Sequence, residues 1–155
     1  MSHEPAPHTP RRPGRFGRRR AVVSGLPSDA HTWNLIFLQL CLEDAGFEVV
    51  NLGPCVTPER LVGCCQAHDP VLVVLSSVNG HGYQDGLATI SVLRATPELA
   101  GIPVVIGGKL TTSGALTAAR VAALEAAGYN GVYDDRPDAA ALFSRMISEL
   151  SAPVS

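Results

Sequence analysis

The amino-acid sequence predicts an α/β fold, a doubly wound sheet of five parallel strands with helices on both faces. Apolar strand-like runs alternate five times with helix-like stretches, which is the pattern of a parallel sheet with crossover helices. Small aliphatic residues dominate and aromatic residues make up only 5% of the chain, which suits strands that are buried on both faces. The 155 residues suffice for one domain with a sizeable core.

The elements follow from local signals in chain order. Short apolar runs that end at glycine, proline or polar residues predict strands at 20–26, 47–52, 70–76, 102–107 and 129–133. Apolar residues at helical spacing predict helices at 33–45, 59–67, 83–95, 116–127 and 137–150. Thr57 and Pro58 suit the start of the second helix, Gly46 and Gly128 suit the ends of the first and fourth, and Asp135 or Asp138 lies near the start of the last. Five such strands fit the flavodoxin-like (Rossmann-like) order 2-1-3-4-5.

The charge distribution separates the N-terminus from the body. Residues 1–20 carry six arginines and one acidic residue, a net charge of +5, whereas the rest of the chain carries −7. We therefore expect a disordered basic arm over 1–19, one domain over 20–150 and a short tail over 151–155. The arm is interpreted first as a solvated extension, and an electrostatic contact with a partner is the alternative. A single basic arm on an acidic body gives little reason to expect nucleic acid as that partner.

The composition also indicates the cellular compartment in which the protein is expected. No apolar run reaches the roughly 20 residues that span a membrane, and the polar N-terminus does not resemble a secretory signal, so a cytoplasmic location is expected. The four cysteines have no zinc-site spacing and are interpreted as free thiols in a reducing compartment: they are Cys41, Cys55, Cys64 and Cys65.

Three strand ends carry the candidate site. Ligands of such sheets bind beyond the carboxyl ends of the strands. Strand one leads into residues 27–34, strand three into 76–80 and strand four into 107–112. In the predicted order these three strands are neighbours, so the three segments should converge.

Asp29 and His31 are the residues in these segments with the most specific chemistry. One residue separates them, so a loop can turn both side chains to one side. The carboxylate can then hold one imidazole nitrogen and leave the other free to bind a metal. The alternative is that Asp29 caps the first helix and His31 is a surface residue. His81, in the loop after strand three, is the strongest rival among the other histidines.

Taken together, the three segments resemble the cobalamin-binding domain shared by cobalamin-dependent mutases and methionine synthase. That family's pattern is DxHxxG, then SxL, then GG, and the corresponding residues here are Asp29, His31, Asn34, Ser76, Val78, Gly107 and Gly108. Within the family, the chain is most similar to the small subunit of glutamate mutases, also over 45–53, 57–61 and 127–133. Two positions depart from the pattern: Asn34 replaces a glycine, adding bulk that can reshape binding, and Val78 replaces a leucine.

The resemblance implies a role for each motif residue. His31 would be the axial ligand to cobalt in place of the cofactor's own dimethylbenzimidazole, and Asp29 would hold the imidazole. Ser76 and Val78 would line a cleft for the displaced nucleotide tail, which Gly107 and Gly108 would flank. Thr111 and Thr112 would bond the phosphate or ribose of that tail. The full set of implied cofactor-binding residues is Ser28, Asp29, Ala30, His31, Thr32, Ser76, Ser77, Val78, Gly107, Gly108, Lys109, Leu110 and Thr111.

The resemblance also implies a function. The cofactor would be adenosylcobalamin and the reaction a carbon-skeleton isomerisation like that of L-glutamate to 3-methylaspartate. A large barrel-type subunit would bind the substrate, in an expected heterotetramer, and this chain alone would be inactive. The first alternative is a corrinoid carrier or methyl-transfer protein, and the second is a mutase subunit for a non-standard substrate. A receiver domain would need an aspartate where Ser76 stands, and a flavodoxin would need a phosphate-binding loop where Pro27 and the Asp29–His31 pair stand.

Overall fold

Five parallel strands form one sheet in the order β2-β1-β3-β4-β5 in the computed structural model, which describes residues 19–134 and 138–151. The strands are β1 (Arg20–Gly25), β2 (Glu48–Asn51), β3 (Leu72–Ser77), β4 (Val104–Gly108) and β5 (Gly131–Asp134). The helices are α1 (Trp33–Asp44), α2 (Pro58–His68), α3 (Gly82–Ala95), α4 (Ala118–Ala127) and α5 (Ala139–Ser151). The predicted fold class and strand order are confirmed.

The helix ends show why these residues form these elements. Thr57 accepts a hydrogen bond from the Arg60 N–H and Pro58 opens α2, as predicted. Gly46 follows α1 with φ 97° and Gly128 ends α4 with φ 130°, which glycine adopts without strain. Thr117 caps α4, so this helix begins at Ala118, two residues later than predicted. A short 3₁₀ helix over Pro97–Leu99 was not predicted.

The helices cover both faces of the sheet, as a doubly wound fold requires. One apolar cluster joins the sheet to α2, α3 and α4 through residues such as Leu61, Ile90 and Leu124. The other joins it to α1 and α5 through residues such as Leu35 and Phe143. No helix among the described residues has the length and apolar character that crossing a bilayer would take. All four cysteines are free thiols.

The chain termini lie largely outside the described residues, and so does Asp135. Residues 1–18 of the predicted arm (1–19) and residues 152–155 of the predicted tail (151–155) lie outside the described residues, whereas Ser151 is the last residue of α5. Arg19, assigned to the arm by the sequence, donates from its guanidinium to the Leu150 carbonyl at 2.7 Å. Its own carbonyl accepts from the Glu48 N–H at 2.8 Å, so Arg19 contacts the folded body.

Candidate functional site

The carboxyl ends of β1, β3 and β4 lie side by side, as predicted. Ser76 of β3 pairs with Gly25 of β1 on one side and with Gly107 of β4 on the other, and Ser77 pairs with Gly108. Because this register aligns the strand ends, the three following loops meet at one edge of the sheet. The candidate site is built there.

Asp29 is the centre of the site, and its side chain is 1% exposed. One carboxylate oxygen accepts from the His31 N–H at 2.9 Å and lies 2.7 Å from Nδ1 of the His31 ring. The other accepts from the Val78 N–H at 2.6 Å. Burial raises the pKa of the Asp29 carboxyl, but hydrogen bonds from the His31 and Val78 backbone and the His31 and Ser77 side chains outweigh it, so the pKa is lowered overall. The carboxylate is therefore a charged acceptor that joins the loops after β1 and β3.

His31 is oriented by this carboxylate. An ionised carboxylate only accepts hydrogen bonds, so Nδ1 carries a proton, and in the neutral ring the lone pair is on Nε2. The imidazole side chain is 62% exposed, and Nε2 has no hydrogen-bond partner among the described residues. A buried carboxylate that fixes one ring nitrogen while the other faces outward is the usual arrangement behind a histidine metal ligand.

The alternative, that Asp29 caps the first helix, is wrong. The N-cap of α1 is Thr32, and no side chain makes a capping hydrogen bond there. His81, the rival histidine, is exposed at the N-terminus of α3. Its backbone N–H donates to the Asn79 side chain, but its ring has no partner in the part of the chain that the structure describes. Of the two histidines, only His31 is oriented by a carboxylate.

A second set of hydrogen bonds holds the loop that carries Asp29, and the sequence did not predict it. The Ser28 N–H and hydroxyl both donate to the Asp85 carboxylate of α3. The Asn79 amide nitrogen donates to the Ser28 carbonyl at 2.9 Å, and the Asn79 oxygen accepts from the Ser77 hydroxyl at 3.0 Å. Ser77 therefore has a positioning role in this network. These contacts tie the β1 loop to the β3 loop and to α3.

A cleft of about 360 Å³ opens beside this network, between α1 and α5 and above β3 and β4. Its walls are mainly apolar. The predicted residues Ser76, Val78, Gly107 and Gly108 line it, together with residues that the sequence did not indicate: Phe37, Leu38, Val74, Leu75, Val105, Ile106, Tyr133, Asp134, Ala139, Ala140 and Phe143. The helical residues were missed because the cleft depends on the distance between α1 and α5, which no local pattern encodes.

Gly107 and Gly108 are required by the sheet itself. A Cβ atom at Gly107 would lie 2.8 Å from the Tyr133 carbonyl oxygen of β5. Gly108 has φ 101°, and a Cβ atom there would collide with the Ser77 carbonyl oxygen. Since both residues also line the cleft, the end of β4 presents bare backbone to whatever the cleft holds.

Not every predicted cofactor-binding residue lies at the cleft. Leu110 packs in the core on the opposite face of the sheet, and the buried Thr111 donates its hydroxyl to the Gly114 carbonyl at 2.6 Å. Neither side chain lines the cleft. Side chains on the surface of the same edge belong to Ser28, Ala30, Thr32, Lys109 and Thr112, all of which are exposed.

Asn34, the first departure from the family pattern, lies in the first turn of α1 and lines the cleft. Its amide nitrogen donates to the Ser76 hydroxyl oxygen at 2.8 Å. Its φ is not positive, so the position does not demand a residue that tolerates unusual backbone angles. The added side chain thus bridges α1 and β3.

Comparison with known proteins gives a consistent result. A family model described as the B12 binding domain matches residues 19–133. Glutamate mutase sigma subunit 1 of Haloarcula marismortui is 30% identical over 127 residues, which cover 81% of this chain and 82% of that protein. The glutamate mutase sigma subunit of Carboxydothermus hydrogenoformans is 36% identical over 64 residues, covering 41% of this chain and 47% of that protein.

Solved structures agree on the fold. A cobalamin-binding protein from Desulfitobacterium hafniense superposes with a TM-score of 0.66 at 20% identity, covering 84% of this chain and 59% of that one. The monomethylamine corrinoid protein of Methanosarcina barkeri gives 0.64 at 19% identity, with 82% and 57% coverage. The receiver domain of a response regulator from Colwellia psychrerythraea gives 0.61 at 18% identity, with 85% and 97% coverage. This chain thus spans less than two thirds of the two cobalamin- and corrinoid-protein chains.

Proposed function

We propose that this chain, which belongs to the B12 binding domain family, is the cobalamin-binding subunit of an adenosylcobalamin-dependent carbon-skeleton mutase. The observation that carries the proposal is the His31 imidazole, held through Nδ1 by the buried Asp29 carboxylate with Nε2 facing outward. A neutral imidazole nitrogen with a carboxylate behind it is a good metal ligand, since the carboxylate fixes the tautomer and raises the basicity of the free nitrogen.

The residues present fit the cofactor. His31 would ligate cobalt through Nε2, while Asp29, held by the Val78 N–H, keeps the ring in place. The neighbouring cleft has the size and the apolar walls of a small-molecule site, and the bare backbone of Gly107 and Gly108 lets a flat group approach closely. We place the nucleotide tail of the cofactor in this cleft. The chemistry that adenosylcobalamin supplies when bound is homolytic cleavage of its cobalt–carbon bond.

The mutase assignment is supported by the relatives. Glutamate mutase sigma subunits match this chain, the first of them over about four fifths of both proteins. By this likeness the reaction is the conversion of L-glutamate to 3-methylaspartate or a closely related isomerisation. We propose a larger, barrel-type subunit that binds the substrate, in a heterotetramer. Trp33, two residues after His31, is 82% exposed, which suits a surface that such a subunit covers.

The test is cobalt ligation in variants of the two rival histidines. His31→Ala should abolish the absorption change of histidine-ligated cobalamin while leaving the fold intact, because the side chain is exposed and contributes little packing. His81→Ala is the matched control and should bind normally. Electron paramagnetic resonance of the Co(II) form with ¹⁵N-labelled histidine identifies the ligand directly. Nitrogen splitting that survives in His31→Ala and disappears in His81→Ala would overturn the assignment.

The same variants test the reaction class. Wild-type chain combined with a large glutamate mutase subunit and adenosylcobalamin should form 3-methylaspartate, whereas neither chain alone should do so. His31→Ala should lose this activity together with the ligation signal. If cobalamin binds through His31 but the wild-type chain instead supports methyl transfer from methylcobalamin to a thiol acceptor, the chain is a corrinoid carrier.

A further inference from the structure

One hydrogen bond crosses the wall of the cleft from a helix to a strand. The Asn34 amide in the first turn of α1 donates to the Ser76 hydroxyl oxygen near the end of β3, at 2.8 Å. Both residues line the cleft, and Ser76 is only 4% exposed. This bond therefore ties together two walls between which a ligand would have to fit.

The Asn34 side chain is poorly satisfied in this position. Its amide oxygen is buried and has no hydrogen-bond partner among the residues that the structure describes. A carboxamide can make up to four hydrogen bonds, and a buried polar atom that makes none is costly. Because the side chain is anchored mainly through Ser76, a ligand that enters the cleft can displace it by breaking one bond.

We propose that Asn34 and Ser76 form a latch across the cleft, and that Asn34 thereby sets how strongly the chain discriminates between corrinoids with and without a nucleotide tail. The inference rests on the proposed function in two respects, the placement of that tail in the cleft and the placement of the corrin ring at His31. A tail that enters must break the Asn34–Ser76 bond. The corrin ring itself is held at His31, whose imidazole is not among the cleft-lining groups, so a tail-free corrinoid binds without opening the latch.

The size of the effect follows from the bond that is broken. One neutral hydrogen bond contributes about 0.5–1.5 kcal/mol net, which corresponds to roughly 2- to 10-fold in affinity. Removing the latch should tighten binding of cobalamin by about this factor and leave binding of cobinamide, which lacks the nucleotide, unchanged. The ratio of the cobinamide Kd to the cobalamin Kd is therefore the quantity to measure.

The experiment uses variants that release or keep the latch. Asn34→Ala and Ser76→Ala each remove one partner. Asn34→Asp keeps the size of the side chain and introduces a carboxylate that can accept from the Ser76 hydroxyl, so the bond is reversed in direction but the latch is kept. Gln39→Ala is the matched control, since Gln39 lies on the same helix, bonds to Asn51 and does not line the cleft. Each protein is titrated with cobalamin and with cobinamide and followed by absorption.

The proposal expects a ratio that rises about 2- to 10-fold in Asn34→Ala and in Ser76→Ala. The ratio should not rise in Asn34→Asp, where a charge-assisted bond is at least as strong as the original one, and it should stay at the wild-type value in Gln39→Ala. An unchanged ratio in the first two variants overturns it. A fall in the ratio in Asn34→Ala or Ser76→Ala also overturns it, because the side chain that was removed would then be a contact of the bound tail and not part of a latch.

A second measurement keeps this inference separate from cobalt ligation. The isolated nucleoside of 5,6-dimethylbenzimidazole contains no cobalt, and its binding can be followed by the fluorescence of Trp33, the single tryptophan and the neighbour of Asn34. Tighter binding of this nucleoside to Asn34→Ala and Ser76→Ala supports the latch even if His31 does not ligate cobalt. Equal binding to wild type and both variants counts against the latch, even if His31 does ligate cobalt.

Discussion

At its carboxyl edge, the sheet is packed tightly on the face that carries α2, α3 and α4 and is open on the face that carries α1 and α5. On the tight face, α3 comes close to the strands through two glycines: a Cβ atom at Gly82 would lie 2.5 Å from Leu110, and one at Gly86 2.6 Å from Ile106. The buried Tyr129 hydroxyl donates to the Gly86 carbonyl at 2.7 Å. On the open face lies the cleft, and α1 turns large apolar side chains to the surface, namely Trp33, Ile36, Phe37 and Leu40.

The two faces of the sheet have different roles at the site: one holds the loop in place and the other provides the cleft. The tight face anchors the loop network: Asp85 on α3 binds Ser28, and Asn79 binds both Ser28 and Ser77. The loop that carries Asp29 and His31 is thereby fixed from the α3 side. The open face leaves room for a ligand next to a histidine whose orientation is already set. A side chain whose orientation is fixed before a ligand arrives lowers the entropic cost of binding.

Among the residues of the site, the largest effect is expected at Gly108, where tight packing reaches the cleft. Gly108→Ala combines a positive φ with a collision between the new Cβ and the Ser77 carbonyl oxygen. It should lower the free energy of unfolding by about 3 kcal/mol. Gly114→Ala is the control, because Gly114 also has a positive φ, 94°, but a Cβ there meets nothing within 4 Å; it should cost about 1 kcal/mol. Urea denaturation measures both. Equal losses would show that the close approach of β3 and β4 contributes nothing.

A smaller loss is expected when Asp29 is changed to asparagine. Both carboxylate oxygens accept hydrogen bonds, so an amide must turn its NH₂ group toward either the Val78 N–H or the His31 side. One buried donor then loses its acceptor, and the free energy of unfolding at pH 7 should fall by about 2 kcal/mol. Asp44→Asn, an exposed position at the end of α1, is the control and should change it by less than about 0.5 kcal/mol.

The pH dependence of the Asp29→Asn effect has a defined sign. The pKa of Asp29 is lowered in the folded protein below its ordinary value of 3.8, because its hydrogen bonds outweigh the effect of burial. The stabilisation by its charged form is therefore fully present above pH 3.8 and is lost as the pH falls through the lower, folded-state pKa. The difference in stability between wild type and Asp29→Asn should shrink in that acidic range. A difference that stays constant down to complete acid unfolding would contradict this.

Much of the site followed from local sequence. The one-residue spacing of Asp29 and His31 predicted their contact, and the alternation of strands and helices predicted the three strand ends that meet. The network through Asp85 and Asn79 could not be predicted, since it joins residues about 50 positions apart and involves polar residues of common types. The spacing also did not indicate which side of the sheet each loop residue faces: the Leu110 side chain packs in the core on the side away from the cleft.

Helix α1 shows a physical limit of sequence patterns. Its apolar residues form two overlapping stripes at helical spacing. Leu35, Leu38 and Leu42 form one, and Trp33, Ile36, Phe37 and Leu40 form the other. Helical spacing alone does not say which stripe faces the sheet. In the structure the first stripe faces the core: Leu35 and Leu42 are buried, whereas Ile36 in the second stripe is 41% exposed.

The smallest change in the free energy of unfolding is expected in the second stripe of α1, which contains Leu40. This change tests directly whether the open face is uncovered. Leu40 is 58% exposed, so Leu40→Ala removes little buried surface and alanine favours the helix slightly. The free energy of unfolding should change by less than about 0.5 kcal/mol. Leu42→Ala, two residues on and fully buried, should cost about 2–5 kcal/mol. Urea denaturation at two protein concentrations tests both. If Leu40→Ala costs about as much as Leu42→Ala at both concentrations, another part of the chain covers this stripe. A loss that appears only at the higher concentration would mean that a second copy of the chain covers the stripe, so that the face is open only in the monomer.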